Sequence, residues 1–256
     1  MKKIFFLAGL PRSGKNLLGT ILNQNPNMFG LLQSPLCELL YRQKILWDDK
    51  DEDTQYDFSN PQVKNMQSKY LKNFIKNFYK ELTDKDVVFD TKRNWDNYDN
   101  IQMYRDIFNL KPKVVCCVRN VEDIIASFVN LYDQSKRFWD FEPMKHKFYQ
   151  DYWNLRRTYL SKYQDCLLLI DYDKLISAPE DSLKKIYKFI EEPYFKHDFD
   201  NIKAPEYYKD INKKLKNLHV INTKLIKSKT NTKELLSPIQ IKHFSKLSFW
   251  KGYSFR

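Results

Sequence analysis

Four short apolar runs alternate along this chain with longer stretches of helical pattern, and that alternation restricts the possible folds more than any other feature. The runs cover residues 3–8, 87–90, 113–118 and 166–171. None alternates apolar with polar residues, as a strand with one wet face would. Continuous apolar runs suit parallel strands covered on both sides. Between and after them the spacing predicts helices over about 15–25, 34–47, 61–82, 96–108, 121–132, 142–162 and 179–190. Strands alternating with helices predict an α/β fold of three layers. Its central parallel sheet has four to five strands, flanked by helices and joined by right-handed crossovers.

The length of 256 residues fits a single domain spanning 1–256 with a full core. We find no internal repeat and no linker. From about residue 191 the pattern changes: Pro193, Pro205 and Pro238 stand among many lysines, and no strand is evident. This part reads as a mostly helical or irregular cap, ending in the aromatic run 249–255. With 42% hydrophobic and 16% aromatic residues the chain is too apolar for disorder. No apolar run approaches the roughly 18 residues of a membrane span, and the first run is broken by Pro11-Arg12-Ser13-Gly14, so neither a span nor a signal peptide is expected.

A net charge of +12 suits an anionic ligand or an acidic polymer. A lysine-rich coding bias explains it equally well, and no nucleic-acid motif accompanies it. Cys37, Cys116, Cys117 and Cys166 show no CxxC spacing. They read as free thiols in a reducing, cytoplasmic compartment. The histidines, His146, His197, His219 and His243, are scattered, and no metal site is expected.

The first apolar run enters Gly9-Leu10-Pro11-Arg12-Ser13-Gly14-Lys15-Asn16-Leu17-Leu18. A strand, a tight loop and a helix start in that order aim several backbone N–H groups and the positive helix end at one point, which suits phosphate. Gly14 lets backbone approach an anion closely, and Arg12 and Lys15 add charge. Two readings fit. The spacing Gly9-x4-Gly14-Lys15 matches the G-x-x-x-x-G-K-[ST] loop of nucleotide kinases and NTPases, with 87–90 as the acidic strand of such an ATP and magnesium site. Asn16, however, stands where that loop needs a hydroxyl for magnesium.

The loop also resembles the 5′-phosphosulfate loop of the sulfotransferase superfamily, commonly P-[RK]-S-G-[TS]-T-x-L, and Asn23-Gln24-Asn25-Pro26 resembles the end of the first helix in bacterial and phage-type members. Lys15-Asn16 departs from the usual hydroxyl pair. A second motif separates the readings. Residues 113–118 form a strand that runs into Arg119, then Asn120 opens a helix with Asp123 in capping-box spacing and Ser127 about two turns on. An arginine at the carboxyl end of a strand stands where open α/β sheets bind ligands. The pattern V-R-[ND]-x-x-D-x-x-x-S resembles the family's site for the 3′-phosphate of 3′-phosphoadenosine-5′-phosphosulfate (PAPS), a group that ATP lacks. A buried Arg119–Asp123 ion pair is the purely structural alternative. Weaker likenesses cover 89–95, 170–175, 195–199 and 218–222.

The resemblance implies a P-loop-like fold and metal-independent, in-line transfer of a sulfuryl group from PAPS, leaving PAP, to a hydroxyl or amine. It implies cofactor contacts from Arg12, Ser13, Gly14, Lys15, Asn16, Leu17, Arg119 and Ser127. It further implies catalytic roles for Arg12 at the leaving group, Glu38 as base and Lys92 beside the sulfuryl group. A solvent-facing helix glutamate and a surface lysine would fit those last two positions equally. His219 is a weaker candidate base. The run 227–230 reads either as a basic loop over the nucleotide or as solvated charge. Tryptophans 47, 95, 139, 153 and 250 suit adenine stacking or core packing. The acceptor, whether a small molecule, glycan or peptide, is left open.

Overall fold

The computed structural model describes residues 3–48, 56, 59–134, 141–208, 221–227 and 230–252. Five strands form one sheet: β1 (Lys3–Gly9), β2 (Met28–Leu31), β3 (Val87–Thr91), β4 (Val114–Val118) and β5 (Leu167–Asp171). All pair in parallel in the order β2-β3-β1-β4-β5. The first strand therefore lies in the middle, with Phe5 opposite Phe89 on one side and Phe6 opposite Val114 on the other. Four strands coincide with the apolar runs, and β2 is the one they did not mark.

The helices are α1 (Lys15–Leu22), α2 (Leu36–Trp47), α3 (Pro61–Lys80), α4 (Tyr98–Phe108), α5 (Val121–Gln134), α6 (Phe141–Tyr159), α7 (Tyr172–Ser177) and α8 (Pro179–Ile190). Two short ones follow, α9 (Thr232–Leu235) and α10 (Pro238–Ser245). Local chemistry sets several of their limits. Asn60 caps α3 by accepting from the Gln62 N–H, and Pro61 takes the first position, where no N–H is needed. Pro179 does the same for α8, which ends at Glu191 in a left-handed conformation. Ser237 and Gln240 form a reciprocal capping box on α10.

Because side chains alternate across a strand, β1 feeds two cores. Phe5 and Leu7 pack with α1 and α8; Phe6 and Ala8 pack with α2 to α6. Burying each of these Phe and Leu side chains contributes about 1.5–3 kcal/mol. The residues after Ile190 divide between these cores. Ile202 belongs to the α1/α8 side, whereas Leu236, Phe244 and Trp250 belong to the other. Ser248 accepts a hydrogen bond from the first N–H of α5, at Val121 (3.2 Å), so the end of the chain pins the start of the helix that follows Arg119. Among the described residues no helix is long and apolar enough to cross a membrane.

Candidate functional site

The carboxyl ends of β1 and β4 lie side by side, and the loop after β1 folds over them. Gly9 has φ 122°, and a Cβ there would stand 2.1 Å from the Cys117 carbonyl oxygen. Only glycine allows the two strands this approach. Leu10 then donates its N–H to that same carbonyl (3.1 Å), and both the Ser13 hydroxyl and N–H turn back to the Leu10 carbonyl. Arg12 and Gly14 both have positive φ, 62° and 90°. This is a tight, over-determined turn of the kind that functional loops hold.

Helix α1 begins directly from it. Gly14 provides no side-chain cap, and the first helical bond runs from the Leu18 N–H to the Gly14 carbonyl (2.9 Å). The N–H groups of Lys15, Asn16 and Leu17 thus open the helix without helical acceptors, a ready anion cradle. The Leu17 side chain turns away into the α1/α8 core, so only its backbone faces the cradle.

The second anchor meets the first. Arg12 donates from Nε to the buried Ser127 hydroxyl (3.1 Å), and Arg119 donates from Nη1 to the Arg12 carbonyl (3.3 Å). Arg119 is 5% exposed, lies over the Tyr172 ring at 4.7 Å, and its buried Nε has no partner among the described residues. A guanidinium N–H kept dry without an acceptor is costly unless a ligand supplies one. Tyr172 also closes over the loop: a Cβ on Gly14 would stand 2.7 Å from its ring. Asp123 does not pair with Arg119. It accepts instead from Thr232 and from Asn120 (3.2 Å). The expected capping box of Asn120 is replaced by side-chain donation to Asp123 and Asp173, while its carbonyl accepts the N–H groups of Asp123 and Ile124 in the first turn of α5.

Lys15 is half-buried and donates to Asn16 Oδ1 (3.2 Å). Burial lowers its pKa to about 8; nearby Arg93 and Lys92 push the same way, while Cys117 and Asp90 oppose them. Asn16 in turn donates to the Tyr208 hydroxyl (2.9 Å), so both ends of its amide are engaged within the protein.

Beyond the loop, Glu38 and Lys92 line one open cleft with Arg93 and Asp151. Glu38 stands in the first turn of α2, half-exposed, and accepts from Arg42 Nε (2.7 Å). Lys92 leaves the tip of β3, where its N–H bonds the Leu7 carbonyl (3.1 Å). Arg93 pairs with Asp151 (2.7 Å), whose carboxyl is pushed up by burial and drawn back by Arg93.

Asp90 organises the floor beneath. Fully buried, it accepts from Trp95 Nε1 (2.6 Å), the Tyr79 hydroxyl (2.6 Å) and Ser34. Burial raises its pKa, against the pull of these three donors and of Lys15. Ser34 also accepts the Leu36 N–H (3.1 Å), which ties Asp90 to the start of α2. With neutral donors on both oxygens of Asp90 and Tyr208 on Asn16, the ATP and magnesium reading gains no support.

The remaining candidates stand apart. His197 is buried against the Tyr187 hydroxyl (3.0 Å), and its pKa falls to about 4 through burial. His219, Trp139, Ser228, Lys229 and the end of the aromatic tail lie outside the described residues. Lys227 pairs with Asp173 (3.0 Å), close to Asn120. Trp95 and Trp250 are core residues, and Trp153 is exposed. The sequence reading missed Tyr172, Tyr208 and the Asp90 network. Only the position of Tyr172, immediately after a strand, offered a signal.

A family model described as "Sulfotransferase family" matches residues 5–196. The fold resembles a sulfotransferase domain from the curacin biosynthetic pathway, with TM-score 0.64 and 15% identity over 100% of this chain and 99% of that one. It also resembles a mouse sulfotransferase complexed with PAP, with TM-score 0.53 and 15% identity over 99% of this chain and 86% of that one. No curated protein matches the sequence.

Proposed function

Because the chain belongs to the sulfotransferase family, we propose that it moves a sulfuryl group from PAPS to a hydroxyl or amine of its acceptor, with the whole chain acting as one domain. The observation that carries this reading is the meeting of two cationic anchors at neighbouring strand tips. Arg12 reaches Ser127, and Arg119, with a buried unpartnered Nε, reaches the Arg12 backbone. A nucleotide with charge at both its 5′ and 3′ positions matches that pair. The structural relative described with PAP is consistent with it.

In this reading the donor supplies an activated sulfuryl group, and the residues of the chain do the rest. The N–H groups of Lys15, Asn16 and Leu17, with Ser13 and Gly14, bind the 5′-phosphate end. The Asn16 amide is occupied by Tyr208, so Lys15 supplies charge where relatives use a hydroxyl. Arg119 and Ser127 bind the 3′-phosphate, where a planar guanidinium fork suits a phosphate.

Glu38 takes the proton of the acceptor group. The bond from acceptor oxygen or nitrogen to sulfur forms as the bond from sulfur to the 5′-phosphate oxygen breaks, and the electron pair departs on that oxygen. Arg12 holds the charge developing there, and Lys92 steadies the sulfuryl oxygens. Preorganised positive charge of this kind is typically the largest single contribution to such a transfer. The positive groups are the backbone N–H cradle and the side chains of Arg12, Lys15, Lys92 and Arg119, so the step as written calls for no metal. Cys37, Cys116, Cys117 and Cys166 are free and buried, which fits a cytoplasmic setting.

Thermal melting tests the reading. Adenosine 3′,5′-bisphosphate without magnesium should raise the melting temperature by several degrees, and Arg119→Ala should remove most of that shift. Stabilisation by ATP with magnesium and none by the bisphosphate would overturn it.

A further inference from the structure

The cleft that contains Glu38 and Lys92 carries information about the acceptor, provided the sulfotransferase reading holds. Its volume is about 420 Å³, within the usual range for small-molecule sites. Such sites are lined mainly by hydrophobic and aromatic side chains, and this one is not. Among the described residues no aliphatic side chain lines it, and only Cys37 and Tyr41 lack a charge or an amide. Five amides face it: Asn94, Asn97, Asn100, Gln150 and Asn154.

The wall has a simple construction. Lys147, Gln150, Asp151 and Asn154 fall on one face of α6 by their spacing of three and four. Opposite stand the first turns of α2 and α4 and the turn after β3. The carboxylates of the lining are already neutralised: Glu38 by Arg42 (2.7 Å), Asp151 by Arg93 (2.7 Å) and Asp99 by Arg157 (3.5 Å). Each keeps free lone pairs, because a carboxylate offers about four acceptor positions. Gln150 and Asn154 bring amides that no described residue occupies. Tyr41, on α2 and 45% exposed, also lines the cleft.

A lining that offers many donors and acceptors, with one aromatic side chain and more polar than apolar surface, matches a ligand carrying hydroxyls around a ring. We propose that the acceptor is a carbohydrate, bound in this cleft by the amides of α6 and sulfated on a hydroxyl presented to Glu38. Its hydroxyls fill the lone pairs and N–H groups of the wall, and the Tyr41 face covers the C–H side of a sugar ring. A steroid, phenol or fatty alcohol would desolvate those amides and return nothing to them.

The test offers labelled PAPS with a panel of neutral and acidic oligosaccharides, with 4-nitrophenol and with dodecanol. Label is expected on an oligosaccharide. The double variant Gln150→Leu, Asn154→Leu should raise KM for that sugar about tenfold or more, while the melting shift caused by adenosine 3′,5′-bisphosphate remains, which also shows that the variant is folded. Label on 4-nitrophenol or dodecanol and on no sugar overturns the carbohydrate assignment but leaves the sulfotransferase reading intact. An intact bisphosphate shift with no sugar labelled does the same. Absence of that shift in the parent protein overturns both.

Discussion

In the proposed reading the donor side of the site is made of strand tips and the acceptor side of helix faces. On the donor side Arg12, Arg119 and Ser127 are linked to one another, and the backbone that carries them is fixed by Gly9, Gly14 and Tyr172. On the acceptor side Glu38, Lys92, Gln150 and Asn154 come from separate helices and a turn, and they are half-buried or exposed. A cradle for a fixed anion must be rigid, because its electrostatic effect depends on dipoles that do not reorganise during the step. A wall for an acceptor needs only to present groups, and it can vary without disturbing the sheet.

Arg12→Ala should break this contrast most severely. Turnover with labelled PAPS is expected to fall about 1,000-fold, with little change in melting temperature. A loss under tenfold would place the leaving-group charge elsewhere. Next is Glu38→Gln, expected to lower kcat about 100-fold while leaving bisphosphate binding untouched. Full turnover in that variant would move the base assignment to another acceptor-side group, with the donor side unaffected.

The smallest effect is one of pH. Lys15 has its pKa lowered to about 8 from 10.5, so between those values the unfolded chain holds more protons than the folded one. The free protein should therefore gain stability from this group as pH rises through that window. Bisphosphate affinity should move the other way, falling up to about tenfold from pH 7 to pH 9. Titration calorimetry and melting curves would show both slopes, and Lys15→Met should flatten both.

What the sequence made legible follows the same division. Strand tips and their loops are local, so Gly9 to Leu17 and Arg119 to Ser127 announce themselves within short windows. Strand β2 did not, because it has four residues, follows a turn at Asn25-Pro26, and contains Gly30. That glycine is poor for a strand in general, yet it is required here: a Cβ would stand 1.9 Å from the Phe89 ring on the neighbouring strand. The Asp90 network joins residues 34, 79, 90 and 95, and Asn16 meets Tyr208 across most of the chain. No periodicity encodes such pairs. Helix α6 was visible as spacing, but that its polar face would complete a wall depended on where α2 and α4 came to rest.

The central place of β1 bears on how the protein is made. Its two ladder neighbours are supplied by Val87–Thr91 and Val114–Val118, which leave the ribosome long after it does. At roughly 5–20 residues per second, Phe5, Phe6 and Leu7 wait on the order of ten seconds with no strand beside them. A nascent chain of this design exposes an apolar strand for that interval before its partners arrive, so it would lean on chaperones during translation more than a protein whose consecutive strands pair with each other.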